Sequence, residues 1–182
     1  YAMDGYVVMA PDVFWRQQPR VDLGYDEEGS KLARHYMTNL DAPNTLLDLQ
    51  ATANALRARP EVSGKVGVVG YCMGGRLAFA LAATGTIDAA VCYYGGRIQD
   101  NLDVAPAITG PILFHYAELD AHIPMGAVDS VKAAFAGRSN AQFHVYPGAD
   151  HGFNCWGRPM YQQRSAALAR GRTLQWLAEN MG

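Results

Sequence analysis

One thiol stands where it could serve as a nucleophile. Gly70-Tyr71-Cys72-Met73-Gly74-Gly75 has the pattern G-x-C-x-G and joins an apolar run, Val66 to Gly70, directly to a helical pattern beginning near Met73. Glycines on both sides let a strand fold back sharply into a helix, and such a turn lifts its central side chain above the sheet. A helix N-terminus beneath the sulfur favours thiolate, and the Met73 backbone N–H faces the place where the oxygen of a tetrahedral adduct would form. The plain alternatives are a buried structural cysteine in a glycine-rich turn and a phosphate-binding loop in which the cysteine is incidental, although neither the dinucleotide fingerprint G-x-G-x-x-G nor the Walker ending G-K-[ST] is present. Cys92 falls inside a strand pattern and Cys155 in a loop, so both read as packing or incidental thiols.

A thiol nucleophile needs a base, and the base needs an orienting acid. In a strand-to-helix nucleophile turn the partners follow in the order acid, then histidine, on loops after later strands. Asp120 lies in Ala117-Glu118-Leu119-Asp120-Ala121-His122-Ile123-Pro124, after the run Ile112 to Tyr116. His151 lies in Pro147-Gly148-Ala149-Asp150-His151-Gly152-Phe153, after the run Phe143 to Tyr146. In these roles neutral His151 takes the thiol proton, while Asp120 accepts from the other ring nitrogen and stabilises the imidazolium. Glu118 and Asp150 remain rivals for the acid, and His122 for the base; His35, and the strand-embedded His115 and His144, are weaker candidates. No spacing of these histidines suggests a metal site, and no cofactor is expected.

Five short apolar runs, Tyr6 to Ala10, Val66 to Gly70, Ala89 to Tyr94, Ile112 to Tyr116 and Phe143 to Tyr146, read as strands buried on both faces. Helical spacing is read over Asn44 to Arg59, Met73 to Ala83, Met125 to Ala136 and Arg164 to Asn180, and residues 12 to 43 read as a polar excursion with one helix. Near-continuous hydrophobic strands alternating with helices define an α/β class with a mostly parallel sheet flanked by helices, whose ligands bind at the carboxyl ends of the strands.

With 182 residues, 49% hydrophobic and 18% charged, the chain is expected to form a single soluble domain. A formal charge of −2 without runs of like charge argues against nucleic-acid partners, and no apolar stretch approaches the ~20 residues that span a bilayer. Three cysteines without a CxxC pair suggest neither a disulfide framework nor zinc, and point to a cytoplasmic protein. The expected partner is a small molecule, with the chain a monomer or weak homodimer.

These residues resemble the dienelactone hydrolase family, the carboxymethylenebutenolidases of the α/β-hydrolase superfamily. The nucleophile turn at Cys72, Leu119-Asp120 before Ile123-Pro124, and Ala149-Asp150-His151-Gly152-Phe153 are similar to the family's three motifs, with 48 positions between the first two residues and 31 between the last two. Gly5-Tyr6-Val7-Val8-Met9-Ala10-Pro11-Asp12 is similar to the strand and turn before the family's substrate-binding loop. The resemblance covers essentially the whole chain and implies a Cys72, Asp120, His151 triad with no cofactor. It also implies further strands before Tyr6, carrying a second oxyanion-hole donor, so that residues 1–182 would be one domain N-terminally incomplete relative to the family. Arg16 matches a position that grips the substrate carboxylate. After His151 the match fades, since Gly152 and Cys155 stand where a serine and an arginine can occur, with Arg158 nearby.

The implied reaction is hydrolysis of a lactone or activated ester, dienelactone to maleylacetate or a related substrate, through an acyl-thioester on Cys72 with Met73 N–H at the oxyanion. Thiolate is a good leaving group, so enol lactones, aryl esters and thioesters suit it better than amides. Tyr94 and Trp15, near expected strand ends, are candidates to line the pocket. The alternatives are a carboxylesterase or thioesterase of the same fold, or a non-catalytic, thiol-bearing binding protein.

Overall fold

The computed structural model describes residues 1–62 and 64–182, which form two compact units, 1–63 and 64–182. The first unit is helical. α1, Glu27–Thr38, starts at Asp26, whose carboxylate accepts from the Gly29 N–H at 2.7 Å, and continues with Glu27 and Glu28 in the turn where negative charge suits the helix dipole. α2, Ala42–Arg57, starts at Asp41, which accepts from the Asn44 N–H at 3.1 Å, with a proline in its first turn, and buries a narrow stripe of Thr45, Leu49 and Ala53. The strand expected over Tyr6 to Ala10 does not form: this stretch has no ladder, and Val7, Val8 and Met9 are exposed. Its composition suits a strand, but a strand exists only by pairing, and among its unit's described residues there is no other strand to pair with.

The second unit holds a parallel sheet of four strands in simple order: β1 Gly67–Tyr71, β2 Ala89–Tyr93, β3 Ile112–Ala117 and β4 Ala141–Tyr146. α3, Met73–Ala82, joins β1 to β2, and α4, Met125–Ala134, joins β3 to β4. A 3₁₀ segment, Ile98–Ala107, which the hydrophobic pattern did not reveal, lies between β2 and β3. α5, Gln163–Met181, ends the unit. Successive strand residues face opposite ways, and the two faces of β3 show which helix covers which side. Phe114 meets Phe79 of α3 and Phe135 after α4, at ring distances of 6.4 and 5.5 Å. Its neighbour His115 points the other way and bonds Thr173 of α5.

Only β2 and β3 are buried along their whole length; β1 and β4, the outer strands of the four, are partly open, contrary to the expectation of full burial in every strand. Register aligns Tyr71 with Tyr93, Tyr93 with His115, and Ala117 with Tyr146, so the four carboxyl ends finish at one rim. The loops after β1, β3 and β4, which hold Cys72, Asp120 and His151, all leave from that rim.

Candidate active site

Cys72 sits between β1 and α3 at φ 54° and ψ −117°, a conformation that costs a non-glycine residue about 1–3 kcal/mol and persists only where its surroundings impose it. The Cys72 N–H donates to the Tyr93 carbonyl at 3.0 Å, and its carbonyl accepts from Gly75 and Arg76. Two glycines make room for this turn. A Cβ on Gly70 would lie 1.9 Å from the Gly74 oxygen, and one on Gly75 would lie 2.6 Å from the Tyr93 oxygen and 3.0 Å from Gly95 Cα. A Cβ on Gly74 would meet nothing within 4 Å, so the required glycines are Gly70 and Gly75 rather than the Gly70 and Gly74 of the G-x-C-x-G pattern. Gly95, unnoticed in the sequence, completes the backbone-to-backbone contact at the start of α3.

Asp120 and His151 meet the sulfur in one row. His151 Nδ1 is 2.7 Å from Asp120 Oδ2, and His151 Nε2 is 3.1 Å from Cys72 Sγ. The Asp120 side chain is 1% exposed and that of His151 16%, so the pair is shielded while the imidazole keeps an edge toward solvent. The other Asp120 oxygen accepts from the backbone N–H groups of His122 and Ile123, at 2.8 and 3.1 Å, which fixes the carboxylate before it meets the histidine. The rival acids are engaged elsewhere: Glu118 accepts from the Gly148 N–H at 2.8 Å, and Asp150 from the N–H of His151 itself at 2.6 Å. The exposed His122 ring stands edge-on to His151, with centroids 5.3 Å apart, and makes its one described bond to Asp120 through the backbone.

The charges favour an ion pair. Burial pushes the Cys72 thiol up, but the hydrogen bond and charge of His151, the Met73 N–H and the positive Arg158 together bring it below its ordinary range. Burial pulls His151 down, yet its bonds to Asp120 and Cys72 and their negative charges push it up to about 9. The two shifts act in the same sense, favouring thiolate with imidazolium over the neutral pair.

Tyr94, buried at the end of β2 with φ 35°, sets its ring 5.2 Å from His151 and 5.3 Å from Phe153. Burial keeps its phenol neutral well above the usual range. Tyr71 and Tyr93 extend this aromatic wall, and no spacing in the sequence marked them. Arg16 belongs to the first unit, where Asp48 grips its guanidinium with two bonds of 2.7 and 2.8 Å and the Trp15 ring lies 4.7 Å away. Trp15 and Asp48 also border a cleft of about 260 Å³ that none of Cys72, Asp120 or His151 lines. Among the described residues no three His, Cys, Asp or Glu side chains are grouped to hold a metal ion, and no helix is long and apolar enough to cross a membrane.

Parallel strands flanked by helices, with a strained side chain raised between strand and helix, define an α/β-hydrolase fold. The chain belongs to the dienelactone hydrolase family, whose profile matches residues 1–181, and it is a hydrolase of that family. A carboxymethylenebutenolidase of Pseudomonas putida is 36% identical over 175 residues, 96% of this chain and 74% of that protein. Carboxymethylenebutenolidase 1 of Cupriavidus pinatubonensis is 33% identical over the same shares of each. Among solved structures, one from Klebsiella pneumoniae described as a dienelactone hydrolase aligns with a TM-score of 0.79 and 28% identity, covering 92% of this chain and 73% of that one. The dienelactone hydrolase-like phosphotriesterase P91 from metagenomic libraries, at TM-score 0.69 and 24% identity over 87% and 70% of the two chains, shares the fold.

Proposed function

We propose that this chain opens an enol lactone or a comparably activated ester by transferring the acyl group to Cys72, with dienelactone the first substrate to test. The observation that carries the reading is the position of His151, 2.7 Å from a buried carboxylate on one side and 3.1 Å from a strained, lowered-pKa thiol on the other. The names of the relatives support the choice of lactone. The Cys72 thiolate adds to the carbonyl carbon; the C–O bond of the ring then breaks, and the proton on His151 Nε2 passes to the departing oxygen. This leaves an acyl-thioester and a neutral imidazole. Water next loses a proton to His151 and adds to the thioester, the C–S bond breaks, and thiolate and imidazolium return. Asp120 holds the ring and offsets its charge throughout, and the Met73 N–H at the start of α3 supplies one oxyanion donor. Amides are disfavoured because their tetrahedral adduct expels thiolate before amine. We further infer a cytoplasmic setting, which suits three free cysteines, one of them an activated thiol.

The test is a substrate panel of dienelactone, aryl esters and acyl thioesters, read with wild type and Cys72→Ala. Turnover of dienelactone with the highest kcat/KM, abolished in Cys72→Ala, is the expected result. Preference for simple aryl esters or thioesters redirects the assignment to a carboxylesterase or thioesterase, and turnover surviving in Cys72→Ala removes the thiol from the mechanism.

A further inference from the structure

His151 leaves β4 on a short loop, and its reach to Cys72 depends on where that loop sits. The loop is zipped to the one after β3: the Glu118 N–H donates to the Tyr146 carbonyl at 3.1 Å and the Leu119 N–H to the Ala149 carbonyl at 2.8 Å. Between these bonds lies Gly148, at φ 68°, where a side chain would be strained. Both polar groups of Gly148 are taken by side chains from different elements. Its N–H donates to Glu118 Oε2 at 2.8 Å, and its carbonyl accepts from Gln162 Nε2 at 2.9 Å.

Gln162 occupies the N-cap position of α5 without capping it: its side-chain oxygen, the group that could accept from a helix N–H, accepts from the Ser165 hydroxyl, and its amide nitrogen donates to Gly148. Its own N–H donates to the Phe153 carbonyl at 3.0 Å, so Gln162 binds the histidine loop on both sides of His151. Glu118 lies two residues before Asp120. One short stretch therefore meets the histidine loop with two carboxylates, Asp120 at the ring and Glu118 at the backbone.

We propose that Glu118 and Gln162 are positioning residues for His151, a brace across Gly148 that holds the imidazole in reach of Cys72 while it stays on Asp120. The proposal rests on the reading of Cys72 and His151 as the working pair. Both bonds are open to solvent, so water replaces them in part; loss of one such hydrogen bond corresponds to about a fivefold change in a rate or equilibrium constant.

The experiment measures the rate of Cys72 alkylation by iodoacetamide against pH, with kcat and KM on the best ester of the panel, for wild type, Glu118→Ala, Glu118→Gln and Gln162→Ala. Loosening of His151 weakens its support of the thiolate. Glu118→Ala and Gln162→Ala are thus expected to raise the alkylation midpoint by about half a pH unit and to lower kcat by about fivefold at unchanged KM. Glu118→Gln keeps an acceptor oxygen and is expected to match wild type. A merely structural role lowers the melting temperature but leaves the midpoint of the folded thiol in place. An unchanged midpoint in both alanine variants, with wild type well below about 8.5, overturns the brace alone. Equal impairment of Glu118→Gln and Glu118→Ala overturns it as well. A wild-type midpoint near 8.5 overturns the triad reading and the brace with it.

Discussion

Two histidines in the second unit, His151 at the rim of the sheet and His115 under α5, are shielded by the same fold and driven in opposite directions. His115, 0% exposed, has its Nδ1 2.8 Å from the Tyr146 hydroxyl and its Nε2 2.9 Å from the Thr173 hydroxyl, which in turn meets the Tyr93 hydroxyl at 2.7 Å. Burial takes it down to about 3, and nearby His144 and Arg172 add to the depression. His151 is also buried in large part, yet a carboxylate on one nitrogen and a thiol on the other lift it to about 9. Hydroxyls satisfy an imidazole's hydrogen bonds without repaying the cost of burying its charge, whereas a fixed anion does both. Burial alone therefore does not make a histidine chemically useful. The difference lies in whether a carboxylate has been placed first, as Asp120 is by the N–H groups of its own turn.

The largest effects break the rim side of this contrast. His151→Ala is expected to lower kcat/KM for the best ester by at least about ten-thousandfold and to return iodoacetamide labelling of Cys72 toward an ordinary thiol. Asp120→Asn keeps the shape but removes the anion, and is expected to cost on the order of a thousandfold in kcat. The same change moves the alkaline limb of the pH–rate profile down from about 9, since the imidazolium loses the partner that sustains it. A profile in Asp120→Asn that keeps its alkaline limb near pH 9 breaks the argument that the carboxylate sets the histidine.

The interior side predicts acid sensitivity of the fold rather than of the chemistry. An unfolded His115 titrates near 6.5 and the folded one near 3, so as pH falls below 6.5 the unfolded chain takes up a proton that the folded chain refuses. The contribution of His115 to stability is complete above 6.5 and is lost at up to about 1.4 kcal/mol per pH unit between there and about 3. His151 has the opposite window: its stabilising pairing is complete below 6.5 and is lost as pH rises through about 9. His115→Phe removes one hydrogen bond from each of the Tyr146 and Thr173 hydroxyls, which keep Arg172 and Tyr93, and at about 0.5–1.5 kcal/mol per bond is expected to cost about 1–3 kcal/mol at pH 7. It should nevertheless flatten the decline between pH 6 and 4, measured by urea unfolding at each pH. An undiminished slope in that variant assigns the acid sensitivity to other groups.

The three rim residues were legible because each sits in a short loop or turn directly after an apolar run, glycine-flanked at Cys72 and His151 and proline-ended at Asp120, and parallel order carries all such loops to one edge. Cys72, Asp120 and His151 thus needed no contact information to be grouped. The aromatic wall of Tyr71, Tyr93 and Tyr94 and the pairing of Glu118 with Gly148 needed the register between strands, which the sequence does not state. Tyr6 to Ala10 misled for a related reason, because strand composition speaks of a half-buried pleated surface and not of an available neighbour. Gly74 misled because a glycine in a motif does not reveal which glycine touches backbone; only the distances to Gly74 and Tyr93 oxygens separate Gly70 and Gly75 from it. Arg16, expected from the resemblance to grip a substrate carboxylate, instead has its guanidinium on the carboxylate of Asp48, 32 residues away.

The smallest effect sharpens how the rim acquires its charge balance. Arg158 is exposed on the loop beyond His151, and its positive charge is the last contribution to the lowering of the Cys72 thiol, after the hydrogen bond and charge of His151 and the Met73 N–H. A solvent-exposed charge acts weakly and is screened by salt, unlike the shielded pairing of His151 with Asp120. Arg158→Gln is therefore expected to raise the alkylation midpoint of Cys72 by only a few tenths of a pH unit. Salt near 1 M, where the screening length is about 3 Å, should reproduce that shift in wild type and add nothing in the variant. His151→Ala should exceed both by a wide margin. If Arg158→Gln matched His151→Ala in its effect on the thiol, the exposed cation rather than the anchored imidazole would be the principal support of the thiolate, and the contrast between rim and interior would no longer rest on the placement of Asp120.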